Sequence, residues 1–252
     1  MNAHRGDQAT VEPGKAAAQT TAMLRWWARA GIDSADLAAR RPDGAMLWQF
    51  DCALADLPLP WARAHNVKQA DVYVRPARGG TWSLIFLDDV APAMARRIAA
   101  KYASLLVRTS PAGGCHLWLC VAVPLDEQQR YRAQRWLVPR VGADPGSVSG
   151  EHLGRLAGMK NWKRKGVWVN IIPQANVRQP AWDPAPALRA SAPRHTRPIV
   201  SSSCAGTGSS DQSQSAQEWG WVCGALEAGA SPDAVYRQLV HHASQRRGLD
   251  TE

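Results

Sequence analysis

The run Ser-Leu-Ile-Phe-Leu-Asp-Asp-Val, residues 83–90, constrains this chain most. Leu84 to Leu87 are uninterruptedly apolar and lead straight into Asp88 and Asp89. A short unbroken apolar run reads as a strand covered on both faces. Its end must then reach solvent or a cation, because a buried carboxylate without either is costly. Neighbouring residues of a regular strand point to opposite faces. Asp88 and Asp89 can therefore share a site only if the strand twists or breaks there. Taken alone, the pair reads as a solvated strand end ahead of a helix opened by Pro92; a metal site is the sharper alternative.

The segments around it set the fold class. Residues 16–31 have Met23, Leu24, Trp27 and Ala30 near helical spacing, with Gly31 as a stop. Residues 34–41 read as a shorter helix capped by Ser34, and 45–54 as a strand. Residues 59–66 form a short helix with Pro60 in its first turn. Residues 70–76 alternate, 77–80 supply turn chemistry, and 81–89 follow, which together read as a β-hairpin. A helix over 92–103, strands at 104–110 and 115–123, a helix over 125–142 and a last strand at 165–173 complete the series. This mixture predicts an α+β domain over residues 16–175, built on a largely antiparallel sheet flanked by helices. Residues 1–15 read as a disordered tail, and 176–213, rich in Pro, Ser and Ala, as a linker. Residues 214–252 read as a small C-terminal helical module. Gly229 closes its first helix, and Ser231, Pro232 and Asp233 open its second.

Bulk properties narrow the partners. The formal charge is +9 and the pI about 9.8, which suits a polyanion. Residues 151–200 hold nine Lys/Arg against two acids, so most of the excess lies there. The five cysteines are scattered and form no disulfide framework. Cys115 and Cys120 fall on opposite faces of one strand, so a shared metal is not expected. No apolar run approaches the roughly 20 residues of a membrane span, and there is no signal core. The expected location is the cytoplasm, without a membrane partner. Trp26, Trp27, Trp48, Trp82 and Trp136 read as core or half-buried surface.

Four motifs then occur in order. They are the Asp88-Asp89 strand end; Thr109-Ser110-Pro111-x-Gly113 before a strand carrying His116 and Trp118; Gly142-Ala-Asp144-Pro-Gly-Ser147; and Arg155-Leu-x-Gly158-x-x-Asn161-x-Lys163. Together they resemble the RepB-like primases of plasmids and mobile elements, within the archaeo-eukaryotic primase superfamily. The resemblance covers about residues 20–175. It implies a primase catalytic core with an RRM-like sheet, and synthesis of short primers on a single-stranded DNA template from nucleoside triphosphates. Extension of primers as a polymerase is a further activity of this kind, and a replicative helicase a candidate partner. Residue by residue, Asp88, Asp89 and Asp144 become the catalytic metal ligands, for Mg²⁺ or Mn²⁺. Ser110, His116, Arg155, Lys160, Asn161 and Lys163 become nucleotide-binding residues, His116 in binding rather than proton transfer. Trp162, Arg164 and Lys165 fall to DNA, since cations interleaved with an indole suit a phosphate backbone and a stacked base.

The chemistry is coherent apart from the resemblance. Nucleotidyl transfer needs an activated 3′-hydroxyl and a neutralised pyrophosphate, which two divalent ions supply, and hard ions take carboxylate oxygens. The alternative function is a non-catalytic single-stranded-DNA-binding replication or mobilisation factor on the same fold. A nuclease would use the acids but leaves the Thr-Ser-Pro and Asn-x-Lys segments without a role.

Overall fold

The structure is a computed structural model that describes residues 13–111, 113–174, 179–190 and 231. The chain divides into two units, Met1–His195 and Thr196–Glu252. The expected N-terminal tail up to residue 12 and the helices around Gly229, Pro232 and Asp233 lie outside the described residues.

The first unit begins with α1 (Pro13–Arg29), β1 (Ser34–Arg40), β2 (Met46–Ala53), α2 (Leu59–Val67), β3 (Asp71–Pro76) and β4 (Trp82–Val90). It continues through α3 (Pro92–Ala99), β5 (Ser104–Arg108), β6 (Cys115–Leu125) and α4 (Glu127–Val141). Four two-residue strands follow: β7 (Gly154–Arg155), β8 (Lys160–Asn161), β9 (Val167–Trp168) and β10 (Asn170–Ile171). Helix α5 (Ala185–Ala190) is the last element among the described residues of the unit. Two four-stranded sheets result, ordered β2-β1-β3-β7 and β10-β5-β6-β4, with a two-stranded β8-β9 sheet beside them, and every strand pairing among them is antiparallel. The α+β, antiparallel expectation therefore holds, with two four-stranded sheets and one two-stranded sheet in place of one.

The second sheet is buried on both faces, which explains its continuous apolar runs. Leu84, Phe86, Leu105, Val107 and Trp118 pack with Leu37, Val72 and Val74 of the first sheet and with Met23, Leu24 and Trp27 of α1. Ile85, Leu87, Leu106, Leu117 and Leu119 face the other way, against α3, α4 and α5. Cys115 belongs to the second core and Cys120 packs on the first, so they do lie on opposite faces.

Three expectations are corrected. Residues 34–40 are a strand, not a helix. The stretch is an inner strand with five consecutive buried residues, Ala35–Ala39. Ala38 lies opposite both Tyr73 and Trp48, where a small residue fits between large ones. Tertiary pairing overrides the helix propensity of Ala and Leu here. Second, β3 and β4 do not form a hairpin, because they belong to different sheets. Their apolar residues Val72, Val74, Leu84 and Phe86 meet across one core. The intervening turn is held elsewhere, with Arg78 donating to Glu151 at 2.7 Å. Third, the supposed linker is partly docked on the domain. Trp182 is 7% exposed, its N–H donates to Cys120 O at 2.8 Å, and Ala187 of α5 is fully buried.

Candidate active site

The Asp88-Asp89 strand end is a β-bulge. Leu87 pairs with Leu117 and Val90 with Cys115, so Asp88 and Asp89 together oppose His116. Asp89 takes a positive φ of 51°, the left-handed conformation that Asp tolerates better than most residues. The extra residue lets Asp88 share the His116 face while Val90 returns to the other core. Gly114 makes room for it. Its N–H donates to Asp89 Oδ1 at 3.0 Å, and a Cβ there would lie 2.5 Å from the Asp89 carbonyl carbon.

Asp88 is the best-anchored acid. His116 Nε2 lies 3.0 Å from its Oδ1, and the Asp89 N–H donates to the same oxygen at 2.7 Å. Burial opposes ionisation, but the hydrogen bonds from His116 and from the Asp89 N–H outweigh it and hold the carboxyl at about 2. The other His116 nitrogen, Nδ1, accepts the Arg155 backbone N–H at 3.1 Å. That bond assigns the donor proton to Nε2. His116 thus holds Asp88 and ties β6 to β7, and neither of its nitrogens is free to shuttle a proton.

The third acid arrives by backbone contact. Asp144 N–H donates to Asp88 O at 2.9 Å, and Asp144 Oδ1 accepts from Gly146 N at 2.9 Å. The following loop is held by α4. Buried Gln134 donates to Phe86 O at 2.8 Å and accepts from Ser149 N and Gly150 N at 3.1 and 2.8 Å. Arg130 donates to Gly150 O at 2.7 Å and stacks over Trp82, its centre 3.7 Å from the ring. Burial lowers the Arg130 guanidinium to about 10. This loop delivers His152, a residue the sequence reading did not select. Its ring stacks on Phe86 at 5.6 Å, and burial holds its imidazole below the usual range despite the nearby Asp88 and Asp144. Its one sequence signal is its place between the third acid and the Arg-Leu-x-Gly motif.

The basic segment lies alongside. β7 crosses the second sheet closely enough that a Cβ on Gly154 would sit 2.6 Å from Trp118. Arg155 is buried, and its guanidinium pairs with Asp71 at 2.8 and 3.3 Å. It is therefore committed to an internal partner, not open to a nucleotide. Asn161 Nδ2 donates to Thr109 O at 2.7 Å, tying this segment to the Ser110 turn, while its buried Oδ1 has no partner among the described residues. Ser110 is buried, with its hydroxyl directed at Gly113. The Lys160 ammonium lies 5.4 Å from the Trp162 and Trp168 rings. Trp162 is anchored, its indole N–H donating to Asn66 O at 2.7 Å. Lys163, Arg164 and Lys165 are exposed.

The acids suit a divalent ion by chemistry. Each of Asp88, Asp89 and Asp144 has Oδ1 oriented by an N–H, and the described residues leave each Oδ2 without a hydrogen bond. Hard oxygen donors of this kind match Mg²⁺ or Mn²⁺. Asp89 follows Asp88 in the bulge and Asp144 meets the Asp88 backbone, but no three His, Cys, Asp or Glu side chains among the described residues converge on one point.

Residues 54–178 match the RepB DNA-primase N-terminal domain family. Mobilization protein A of Escherichia coli is 34% identical over 108 residues, which is 42% of this chain but only 15% of that protein. The crystal structure of the catalytic domain of primase RepB′ in complex with initiator DNA superposes with a TM-score of 0.60 at 26% identity, covering 69% of this chain and 93% of that one. The archaeo-eukaryotic primase domain of a cyanophage S-2L primase-polymerase shares the fold, with a TM-score of 0.53 at 18% identity over 69% and 96% of the two chains. The family match, the relative and the RepB′ superposition agree with one another, and residues 54–178 of the first unit match the RepB-like primases.

Proposed function

We propose that this chain is a DNA primase that makes short primers on single-stranded DNA from nucleoside triphosphates. The observation that carries the reading is the bulge that sets Asp88 against His116 and brings Asp144 to its backbone. Asp88, Asp89 and Asp144 would hold one or two divalent ions, Mg²⁺ or Mn²⁺, which activate the 3′-hydroxyl and neutralise the leaving pyrophosphate. The chain's own groups do the rest. His116 positions Asp88, Gly114 orients Asp89, the Asp88 carbonyl receives the Asp144 N–H, and Arg130 and Gln134 of α4 hold the loop that carries His152. Lys163, Arg164 and Lys165 offer phosphate contacts from the exposed turn after Asn161. The likeness to Mobilization protein A supports work on a plasmid or other mobile element. No helix among the described residues is long and apolar enough to cross a membrane, and we place the activity in the cytoplasm.

The test is primer synthesis on single-stranded circular DNA with labelled nucleotides and Mg²⁺ or Mn²⁺. Wild type should give short products, and Asp88→Asn/Asp89→Asn should give none. Wild-type protein that binds DNA but makes no product on varied templates would point to a non-catalytic binding factor. Shortened templates would point to a nuclease.

A further inference from the structure

The outward face of the first sheet carries a feature the active site does not use. On the edge strand β2, Met46, Trp48 and Phe50 project to the side away from the core. Trp48 and Phe50 stack, with ring centroids 5.1 Å apart and planes 9° from parallel. Phe50 is nevertheless 58% exposed. A ring covered on one side and open on the other is half of a base-stacking sandwich.

The surroundings supply charge and direction. The Arg75 guanidinium lies 5.4 Å over the Trp48 ring and is fixed by Asp36 at 3.0 Å. Arg75 also lines a cleft of about 490 Å³, shared with Arg40, Met46, Tyr73 and His152. Arg40 has no ion pair among the described residues. His152, which lines the same cleft, stacks on Phe86 and feels the charges of Asp88 and Asp144. Met46, on the same face of β2 as Trp48 and Phe50, thus joins the aromatic pair to a cleft that Arg40 and His152 also line.

We infer that Phe50, stacked on Trp48, is a platform for a base of single-stranded DNA, and that the cleft past Arg40 leads that strand to the active site. A flat base matches the open ring face, and stacking of this kind is tolerant of sequence because every base has a π-face. The phosphate backbone complements Arg40 and the +9 charge of the chain. A duplex would bury its bases from such a ring, so the occupant is a single strand. The inference rests on the reading of single-stranded DNA as template and adds where a distal nucleotide binds.

The experiment is fluorescence anisotropy of a labelled oligothymidylate with the full chain, comparing wild type, Phe50→Ala and Phe50→Trp. Melting temperatures are recorded beside it. Phe50 is exposed, so neither variant should unfold the protein. Phe50→Ala should weaken binding at least about fivefold, the low end of base–aromatic stacking, and Phe50→Trp should restore it. Equal affinity in all three proteins overturns the platform. So does equal weakening in both variants, since an indole stacks at least as well as a phenyl ring. Absence of oligonucleotide binding by wild type also overturns it, and leaves the face to a protein partner. Primer synthesis separates the two readings. If wild type primes and Phe50→Ala matches it at every template concentration, only the platform fails. If wild type binds through Phe50 but never primes, only the primase reading fails.

Discussion

Gly113 and Gly114 are neighbours in one turn, and the structure assigns them opposite tolerances to a methyl group. A Cβ on Gly114 would lie 2.3, 2.5 and 2.6 Å from Asp89 Oδ1, C and O, against an ordinary contact of 3.4 Å or more. Two of these are backbone atoms of a bulge already held at a φ of 51°, so no side-chain rotation relieves the clash. The Asp89 backbone must move by roughly 1 Å. Overpacking of this kind costs about 1–3 kcal/mol, and at about 2–4 °C per kcal/mol the melting temperature should fall by roughly 2–12 °C. A 1 Å displacement of a catalytic group costs on the order of 100-fold in rate. On Gly113 the Cβ would meet Ser110 Oγ at 2.2 Å, the free end of a rotatable hydroxyl that can turn away. Neither glycine has a positive φ, so both tests are steric. Gly114→Ala should lose stability and primer synthesis together, while Gly113→Ala keeps most of both. Equal behaviour of the two variants in thermal melts and the priming assay would refute the assigned role of Gly114 in shaping the acidic bulge.

Two further outcomes follow from the same region. The Asp88 carboxyl is depressed from 3.8 to about 2 in the folded state. Its contribution is therefore present above the unfolded value and is lost as pH falls through about 2. The size is about 2 kcal/mol. Denaturant melts should show wild type losing that increment between about pH 4 and pH 2 relative to Asp88→Asn; parallel curves would exclude the proposed anchoring. Gln134→Leu should cost about 2–4 kcal/mol, because Phe86 O, Gly150 N and Ser149 N lose one shared partner. A urea midpoint within error of wild type would show that the 149–152 loop does not depend on it.

The strands buried on both faces were legible because an uninterrupted run such as Leu84–Leu87 has few other homes in a soluble α+β domain. The helix over 34–41 was misread because Ala35, Leu37, Ala38 and Ala39 satisfy helix propensity, and only the register beside Tyr73 and Trp48 reveals why small residues are needed. The hairpin was misread because adjacency in sequence does not say that Val74 and Phe86 meet face to face across a core. In the site, the acids and His116 stood out as residue types, but their opposition depends on a left-handed Asp89 that no local pattern announces. The Arg155–Asp71 pair spans 84 residues, so the motif reading had no means of knowing that this arginine was already occupied. His152 carried no signal beyond its position. Trp182 was lost in a Pro- and Ala-rich stretch whose composition masks one docking residue.

One local device links the acidic site to the proposed DNA platform. The other bulge of the two sheets' long pairings that carries a left-handed aspartate is in β2, where Asp51 has a φ of 49°. There Gln49 pairs with Leu37 and Cys52 with Ala35, so Phe50 and Asp51 together oppose Asp36. The Asp51 N–H donates to Asp36 Oδ1 at 2.9 Å, and Ser34 Oγ donates to Asp51 Oδ1 at 2.8 Å. Both β2 and β4 are edge strands. A bulge on an edge discourages pairing with another chain and re-aims a side chain at once. In β4 the extra residue sets Asp88 opposite His116 and returns Val90 to the core. In β2 it keeps Phe50 outward, stacked on Trp48, while Cys52 returns to pack on the first core. Each sheet thus has an edge strand bulged by one left-handed aspartate, Asp89 in β4 and Asp51 in β2, and the side chains proposed for metal and for template lie beside those two bulges.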